Sequence, residues 1–214
     1  MRFVRLSLVM TFILCALAAS RAQEDEPSKY MFNIGGGISF PQGNLGKFAN
    51  NGGNYVIGGG LNLSKHLGVD TEFMWQNLPV NSALKEVLNT SGARARQYAW
   101  TINPIIHFPL GHKAGGYLIG GGGWYHRSGE TTTTSPAVFC DPYWSWWFGC
   151  AIGSVEVVTG SRNANAFGGN IGGGITYPLG EGGLAKLYVE ARYHYASYNR
   201  VPTQVLPLTF GIRW

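Results

Sequence analysis

The stretch that decides the fold is VLPLTFGIRW, residues 205–214, which alternates between two faces. One face is apolar and partly aromatic, and it carries Leu206, Leu208, Phe210, Ile212 and Trp214. A repeat of two residues is the side-chain period of a β-strand. A closed barrel in a lipid bilayer gives such a strand both a neighbour to pair with and apolar surroundings. We therefore predict that residues 205–214 form the closing strand of a transmembrane β-barrel.

Seven further stretches show the same alternation, and they predict an all-β, eight-stranded, antiparallel up-and-down transmembrane β-barrel. They cover 30–40, 55–64, 68–77, 96–108, 115–127, 166–177 and 186–198. The connections alternate in length. The short ones, rich in Gly or Pro, are 64–68, 109–115 and 178–184, and the long ones are 41–54, 78–95 and 128–165. This alternation is typical of outer-membrane barrels and predicts that both termini lie on the short-turn side, in the periplasm.

A secreted soluble β-sandwich or a lipocalin-like barrel is the alternative fold. Aromatic residues at the strand ends of the apolar face favour the membrane barrel, because they resemble two interfacial girdles. They are Phe40, Tyr55, Trp75, Tyr98, Phe108, Tyr177, Tyr195 and Trp214.

The N-terminus is predicted to be a cleavable signal peptide over residues 1–22. Arg2 and Arg5 precede an apolar run at 6–19, and small residues precede a cleavage point after Ala22. An uncleaved anchor is the alternative, although the run is short for a span. The mature chain would then have a short periplasmic segment at 23–29 and an outer-membrane β-barrel domain at 30–214.

Charge and glycine patterns exclude several function classes. Cleavage removes three arginines and lowers the formal charge from +5 to +2. The remaining basic residues are scattered, so we expect no nucleic-acid partner. Ile-Gly-Gly-Gly recurs at 34, 57, 119 and 171 without the Lys-Ser/Thr of a phosphate-binding loop. The repeat therefore marks strand interiors and not a phosphate loop. We expect no cofactor and no metal.

These features together resemble the small outer-membrane β-barrel family, the OmpA-like and OmpX-like eight-stranded barrels. The resemblance covers 30–214 and rests on pattern more than on fixed motifs. It implies a Gram-negative outer membrane, a lipid environment and a monomer. It also implies that the barrel-assembly machinery reads Phe210, Ile212 and Trp214 as an assembly signal. The chain departs from the usual signal by ending on Trp and by placing Pro207 within the strand.

Cys140 and Cys150 lie in the longest connection and are the only cysteines left after processing. An even pair in an exported chain predicts a disulfide. The segment that it would close is unusually aromatic, with Tyr143, Trp144, Trp146, Trp147 and Phe148. We interpret this segment as an extracellular contact site for a ligand or a surface. The alternatives are a plug over the barrel mouth and a segment that dips into the outer leaflet.

Six charged or titratable side chains fall on the polar faces of predicted strands and should point into the barrel. They are Asp70, Glu72, Glu190, Arg192, His194 and Arg213. Small barrels fill their interiors with side chains, and buried charges there must be paired. We predict a network of interior ion pairs and hydrogen bonds. A conducting path or a proton relay is the alternative.

A catalytic interpretation rests on the resemblance, since some eight-stranded barrels modify lipid A. The deacylases use a His and a Ser two residues apart, oriented by a Glu. His126 and Ser128 have that spacing, and Glu130 or Glu190 would be the orienting group, but Gly129 stands where Asn is usual. We expect a non-enzymatic barrel with a structural or surface-contact role carried by the loop at 128–165. A deacylase-like enzyme and a small pore are the alternatives.

Overall fold

Eight strands form a closed ring, as the alternating pattern predicts. The computed structural model describes residues 28–111, 114–140, 149–180, 185–199 and 201–214. Each strand pairs antiparallel with its sequence neighbours, and the last strand pairs with the first. The strands are β1 (Tyr30–Pro41), β2 (Gly52–Asn62), β3 (Leu67–Pro79), β4 (Gly92–Leu110), β5 (Ala114–Phe139), β6 (Ala151–Leu179), β7 (Ala185–Ala196) and β8 (Thr203–Arg213). The signal peptide predicted at 1–22 lies outside the described residues.

The ring closes through the C-terminal stretch 205–214. Phe32 and Trp214 exchange two backbone hydrogen bonds, with N–O distances of 2.7 and 3.0 Å. Their rings lie 6.3 Å apart. Between β7 and β8 the register has no pairs at Leu206 and Pro207. A proline has no backbone N–H to donate, so the ladder is interrupted there while the β1–β8 pairing continues.

The two faces of the ring differ in character. The outer face is apolar, with exposed Ile34, Ile57, Ile102, Ile171 and Phe210 at mid-height. The inner face is largely polar and buried. Phe210 and Ile212 of the predicted assembly signal are exposed on the outer face, and Trp214 is half-buried beside them. This inside-out arrangement needs an apolar surrounding medium.

The connection predicted as a loop at 128–165 is largely a β-hairpin, and that prediction is wrong. β5 and β6 run 26 and 29 residues and pair up to Phe139 and Ala151. Polar residues such as Thr131–Thr134 occupy both faces there, because the hairpin rises above the apolar belt and neither face meets lipid. The apolar alternation therefore stops while the strand continues.

The connection predicted at 78–95 is also partly regular. It contains a short helix, α1 (Ser82–Val87), whose N-cap Asn81 accepts a hydrogen bond from the Leu84 N–H at 2.9 Å. β4 begins at Gly92, within the predicted loop. A 3₁₀ turn at Leu45–Lys47 lies in the other long connection. In the ranges that the structure describes, no helix is long and apolar enough to cross a membrane.

Candidate functional site

Arg192 is the centre of an ion-pair network that fills the lumen. Its guanidinium donates to Glu72 through Nη1 and, at 3.2 Å, through Nη2. Nη2 also lies 2.5 Å from Glu190 Oε1. All three side chains are at least 95 % buried. A buried guanidinium between two carboxylates is an arrangement in which each charge has a partner.

Neutral polar groups complete this network. Glu72 accepts from the Asn33 amide at 2.6 Å and from the Asn103 amide at 3.1 Å. Asn170 donates to Asn103 at 2.8 Å, and the Tyr117 hydroxyl donates to Glu190 at 2.9 Å. The network thus joins strands β1, β3, β4, β5, β6 and β7 across the lumen. The sequence pattern does not single out these four neutral partners.

The other three predicted interior residues lie at the edges of the network. Arg213 is 3.9 Å from Glu190, and its guanidinium lies over the Tyr117 ring at 4.3 Å. His194 Nδ1 is 2.9 Å from the Tyr125 hydroxyl. Asp70 is 1 % exposed, and neither of its carboxylate oxygens has a hydrogen-bond partner among the described residues. All six residues face the lumen.

The lumen is narrow at the level of Arg192. The cavity there has a volume of about 10 Å³ and is lined by Glu72, Met74, Glu190, Arg192 and His194 among others. That space holds at most one water molecule.

The hairpin of β5 and β6 extends above the ring. β4 leaves β5 after the pair Gly92–Thr132, and β7 leaves β6 after the pair Gly168–Ala196. From Thr133 to Phe139 the two strands pair only with each other, which at about 3.3 Å per residue is a ribbon of roughly 23 Å. A bulge between Thr131 and Thr132 marks its base.

The disulfide predicted from the cysteine pair is present at the end of this ribbon. Cys140 and Cys150 are bonded directly after the last strand pair, with Cα atoms 4.5 Å apart. Below them, Val138 and Ile152 form a cross-strand pair and are 65 % and 83 % exposed. The segment 141–148, which carries Tyr143, Trp144, Trp146, Trp147 and Phe148, lies outside the described residues.

Removing the disulfide should loosen the ribbon and leave the barrel unchanged. A two-stranded hairpin alone is marginally stable, and closing a short loop contributes about 2–3 kcal/mol. In the double variant Cys140→Ser/Cys150→Ser we expect amide exchange at 133–139 and 151–157 to accelerate at least thirtyfold. Amide exchange in β1 and β8 should be unaffected. The matched control is the parent protein with its disulfide reduced. Equal acceleration in β1 would contradict a local role for the bond.

His126 and Glu130 of the catalytic alternative have other partners. His126 Nδ1 lies 2.6 Å from Asn165 Oδ1, and its ring stacks on Trp124 at 5.6 Å. Glu130 is 3.6 Å from Arg96. The hydrogen bonds of the described residues include none between His126 and Ser128. The structure therefore does not assemble the predicted triad, and Glu190 lies in the lumen on the other side of the wall.

An open cup occupies the mouth of the barrel at the base of the ribbon. Its volume is about 460 Å³, and its walls come from β3, β4, β5, β6 and β8, from the 3₁₀ turn at Leu45–Lys47 and from the connection before β8. Arg96, Arg127 and Arg162 line it, and none of its described lining residues is an Asp or a Glu. Arg96 is paired with Glu130, which lies outside the cup, at 3.6 Å. In the part of the chain that the structure describes, no cluster of three metal-ligating side chains occurs.

Comparison with known proteins places the chain in a family. The model of the outer membrane protein beta-barrel domain matches residues 8–213. Among curated proteins, none matches the chain in sequence.

Solved structures show the same fold. Neisserial surface protein A has a TM-score of 0.55 and 12 % identity, over 87 % of this chain and 96 % of that one. A major outer membrane protein from Thermus thermophilus has a TM-score of 0.54 and 14 % identity, over 86 % of this chain and 98 % of that one. The closed ring of eight antiparallel strands, its apolar outer face and the match over nearly the whole sequence give one conclusion: the chain belongs to the outer membrane protein beta-barrel domain family and resides in the bacterial outer membrane.

Proposed function

We propose that this protein is a non-enzymatic, non-conducting barrel that presents the β5–β6 ribbon at the cell surface as a contact site. The observation that carries the proposal is the exposed apolar pair Val138–Ile152, held under a disulfide far above the lipid-facing belt. Exposed apolar side chains away from lipid are typical of interaction surfaces. The aromatic segment at 141–148 follows directly and would enlarge that surface.

The base of the ribbon is braced, which suits a contact arm. The hydroxyl of Ser91 donates to the Thr132 carbonyl at 3.2 Å and accepts from the Thr134 N–H at 2.7 Å. Arg94 and Glu156 form an ion pair across the same region at 3.4 Å. These contacts tie β4 and the connection before it to the ribbon, so the ribbon has a preferred direction and loses less entropy when it binds.

The proposal includes the orientation in the membrane. The ribbon and the longer connections would face outside, and both termini would face the periplasm, as in other outer-membrane barrels with short turns on one side. A signal peptide at 1–22 would direct export. The barrel-assembly machinery would read the outward face of β8, and the protein would act as a monomer among outer-membrane lipids.

The lumen and the outer wall support the non-conducting and non-enzymatic parts of the proposal. The Arg192 network leaves about 10 Å³ at mid-lumen, which supports a closed barrel over a pore. A hydrolase triad needs hydrogen-bond contact between nucleophile and base. His126 is instead engaged by Asn165, and Glu130 by Arg96.

The test removes the ribbon and keeps the barrel. Thr133 and Val157 face each other in the register, so an Asn-Gly turn can join them in place of residues 134–156. Cells with the shortened chain should adhere at least fivefold less than cells with the full chain to at least one of three surfaces: an epithelial layer, an immobilised glycan array or a hydrophobic plate. The adherence should fall to the level of cells that lack the protein.

Two controls make this test decisive. The shortened chain must show the same heat-modifiable gel band and the same amount in the outer membrane, since its ring is intact. The pair Val138→Ser/Ile152→Ser keeps the ribbon and should lower adherence to an intermediate level. Unchanged adherence of the shortened chain on all three surfaces, with equal amounts in the membrane, would overturn the contact role.

A further inference from the structure

The cup at the barrel mouth is a site that the contact role of the ribbon does not use. It lies below the ribbon, between β4, β5, β6 and the connection that precedes β8. Its volume of about 460 Å³ is within the range of small-molecule sites. Leu45, Leu78 and Ala95 form an apolar part of its wall.

Two arginines on the inner wall give the cup its charge. Arg127 on β5 pairs with Ala164 on β6, and Arg162 pairs with Gly129, so the two arginines are diagonal neighbours on one face. Diagonal neighbours lie within reach of each other's long side chains. Like charges in that position repel, and an anion bound between them would relieve the repulsion.

Arg127 is held in place without an acid. Its guanidinium lies 4.1 Å above the Tyr198 ring and donates to the Val201 carbonyl at 2.9 Å. Among the described residues neither Arg127 nor Arg162 forms an ion pair, whereas Arg96, which also lines the cup, has Glu130, and Arg94 outside the cup has Glu156. A positioned guanidinium with free N–H groups favours a planar or tetrahedral oxyanion.

The floor of the cup offers neutral polar groups that lack partners. Gln97 is 2 % exposed, and neither its Nε2 nor its Oε1 has a hydrogen-bond partner among the described residues. The same holds for the hydroxyl of Tyr198, which is 5 % exposed. Both residues line the cup. Leaving a buried polar group without a partner is unfavourable, so these atoms indicate a ligand that both donates and accepts hydrogen bonds.

We propose that the cup binds a compact acidic sugar, a single ring or a disaccharide that carries a phosphate, sulfate or carboxylate. The anionic group contacts Arg127 and Arg162. The hydroxyl groups of the ring reach Gln97 and Tyr198, and its C–H face lies on Leu45 and Leu78. The proposal rests on the outward orientation of the mouth given above and adds a ligand class to it. It does not require the ribbon.

Isothermal titration of the purified full-length protein in detergent tests the assignment. The probes are glucose 6-phosphate, glucuronic acid, glucose and inorganic phosphate. We expect both acidic sugars to bind. Glucose and inorganic phosphate should bind at least tenfold more weakly, because glucose lacks the anionic group and inorganic phosphate lacks the sugar ring. A preference for glucose 6-phosphate would indicate phosphorylated saccharides such as those of the cell's own envelope. A preference for glucuronic acid would indicate uronic acids of foreign glycans.

The variants separate the site from general charge. Arg162→Gln, at an exposed position, should weaken binding of the better acidic sugar at least tenfold, and Arg127→Gln should do the same if it folds. Arg94→Gln is the matched control, since it removes an arginine of β4 that does not line the cup, and it should change the affinity less than twofold.

Three results would overturn the proposal. They are no detectable heat with either acidic sugar at about 20 mM, equal binding of glucose or inorganic phosphate, and an equal loss in Arg94→Gln and Arg162→Gln. The chain with residues 134–156 replaced keeps Arg127 and Arg162 and should bind the acidic sugar with unchanged affinity. Binding without adherence, or adherence without binding, therefore shows which of the two proposals has failed.

Discussion

Replacing Arg192 with Met should lower the free energy of unfolding by about 3–5 kcal/mol or prevent insertion altogether. The substitution keeps much of the side-chain volume and removes only the charge and the N–H groups. It leaves Glu72 and Glu190 buried, each within the lumen and each without its main cation. Removing one member of a buried ion network has this cost because the remaining charges lose their compensation.

Urea unfolding in lipid vesicles, followed by the heat-modifiable gel band, measures this effect. Arg213 provides little rescue, since it lies 3.9 Å from Glu190 and is held by Tyr117. Glu72→Gln should be milder, because Arg192 keeps Glu190 and the amide oxygen still accepts one of the asparagine hydrogen bonds.

The triple variant Glu72→Gln/Glu190→Gln/Arg192→Met is the matched control. It removes all three charges together, so neither Glu72 nor Glu190 remains as a buried carboxylate without its cation, and the 3.9 Å contact of Arg213 with Glu190 is the one further ion pair lost among the described residues. Buried ion pairs can be replaced by neutral groups at small cost. We expect it to recover at least half of the loss seen in Arg192→Met. A triple variant that is less stable than Arg192→Met alone would contradict this explanation. The loss in Arg192→Met would then not come from unpaired carboxylates, and the charges of the network would themselves stabilise the barrel.

The number of strands and their order could be predicted from sequence because lipid acts on one face of every strand. Ile34, Ile57 and Ile102 must be apolar, and the residues between them are free to be polar. The resulting period of two is visible without any knowledge of the partner strand. The alternation is lost at Thr131–Thr134 for the same reason, because β5 has left the lipid there and its two faces no longer meet different surroundings.

The pairing inside the lumen could not be predicted in this way. The alternation assigns six charged or titratable residues to the interior, but Glu72 and Arg192 are 120 residues apart. Which of them meet depends on the stagger of all eight strands. The neutral partners Asn33, Asn103 and Asn170 give no signal beyond their polar position in an apolar pattern.

The cup could not be predicted for a related reason. Arg127 and Arg162 become diagonal neighbours only because β5 and β6 stay paired as far as Phe139 and Ala151. A loop at 128–165 gives the two arginines no common face. Gln97 joins them from a third strand, and its missing hydrogen-bond partners among the described residues are a property of the folded lumen.

Replacing Gly121 with Ala should lower the free energy of unfolding by about 3 kcal/mol, the upper end for overpacking. A Cβ atom there would lie 2.7 Å from Asn103 Oδ1 and 2.8 Å from Asn103 Cα, and it would also clash with the Ile102 carbonyl. Asn103 cannot give way easily, since its amide donates to Glu72 and its oxygen accepts from Asn170. The glycine therefore allows β4 and β5 to approach closely beside the ion network.

The neighbouring residue is the matched control. Gly120 faces outward, and a Cβ atom there would meet the Asn170 carbonyl at 3.3 Å, a tight contact that needs a shift of a few tenths of an ångström, and Ile171 at 3.6 Å, an ordinary contact. Gly120→Ala should change the free energy of unfolding by no more than about 1 kcal/mol, since the lost backbone freedom of the unfolded chain offsets the tighter contact. Both variants are measured by urea unfolding in the same vesicles. Equal stability of the two would show that β4 and β5 can separate at this level, so that the lumen is not packed against Gly121.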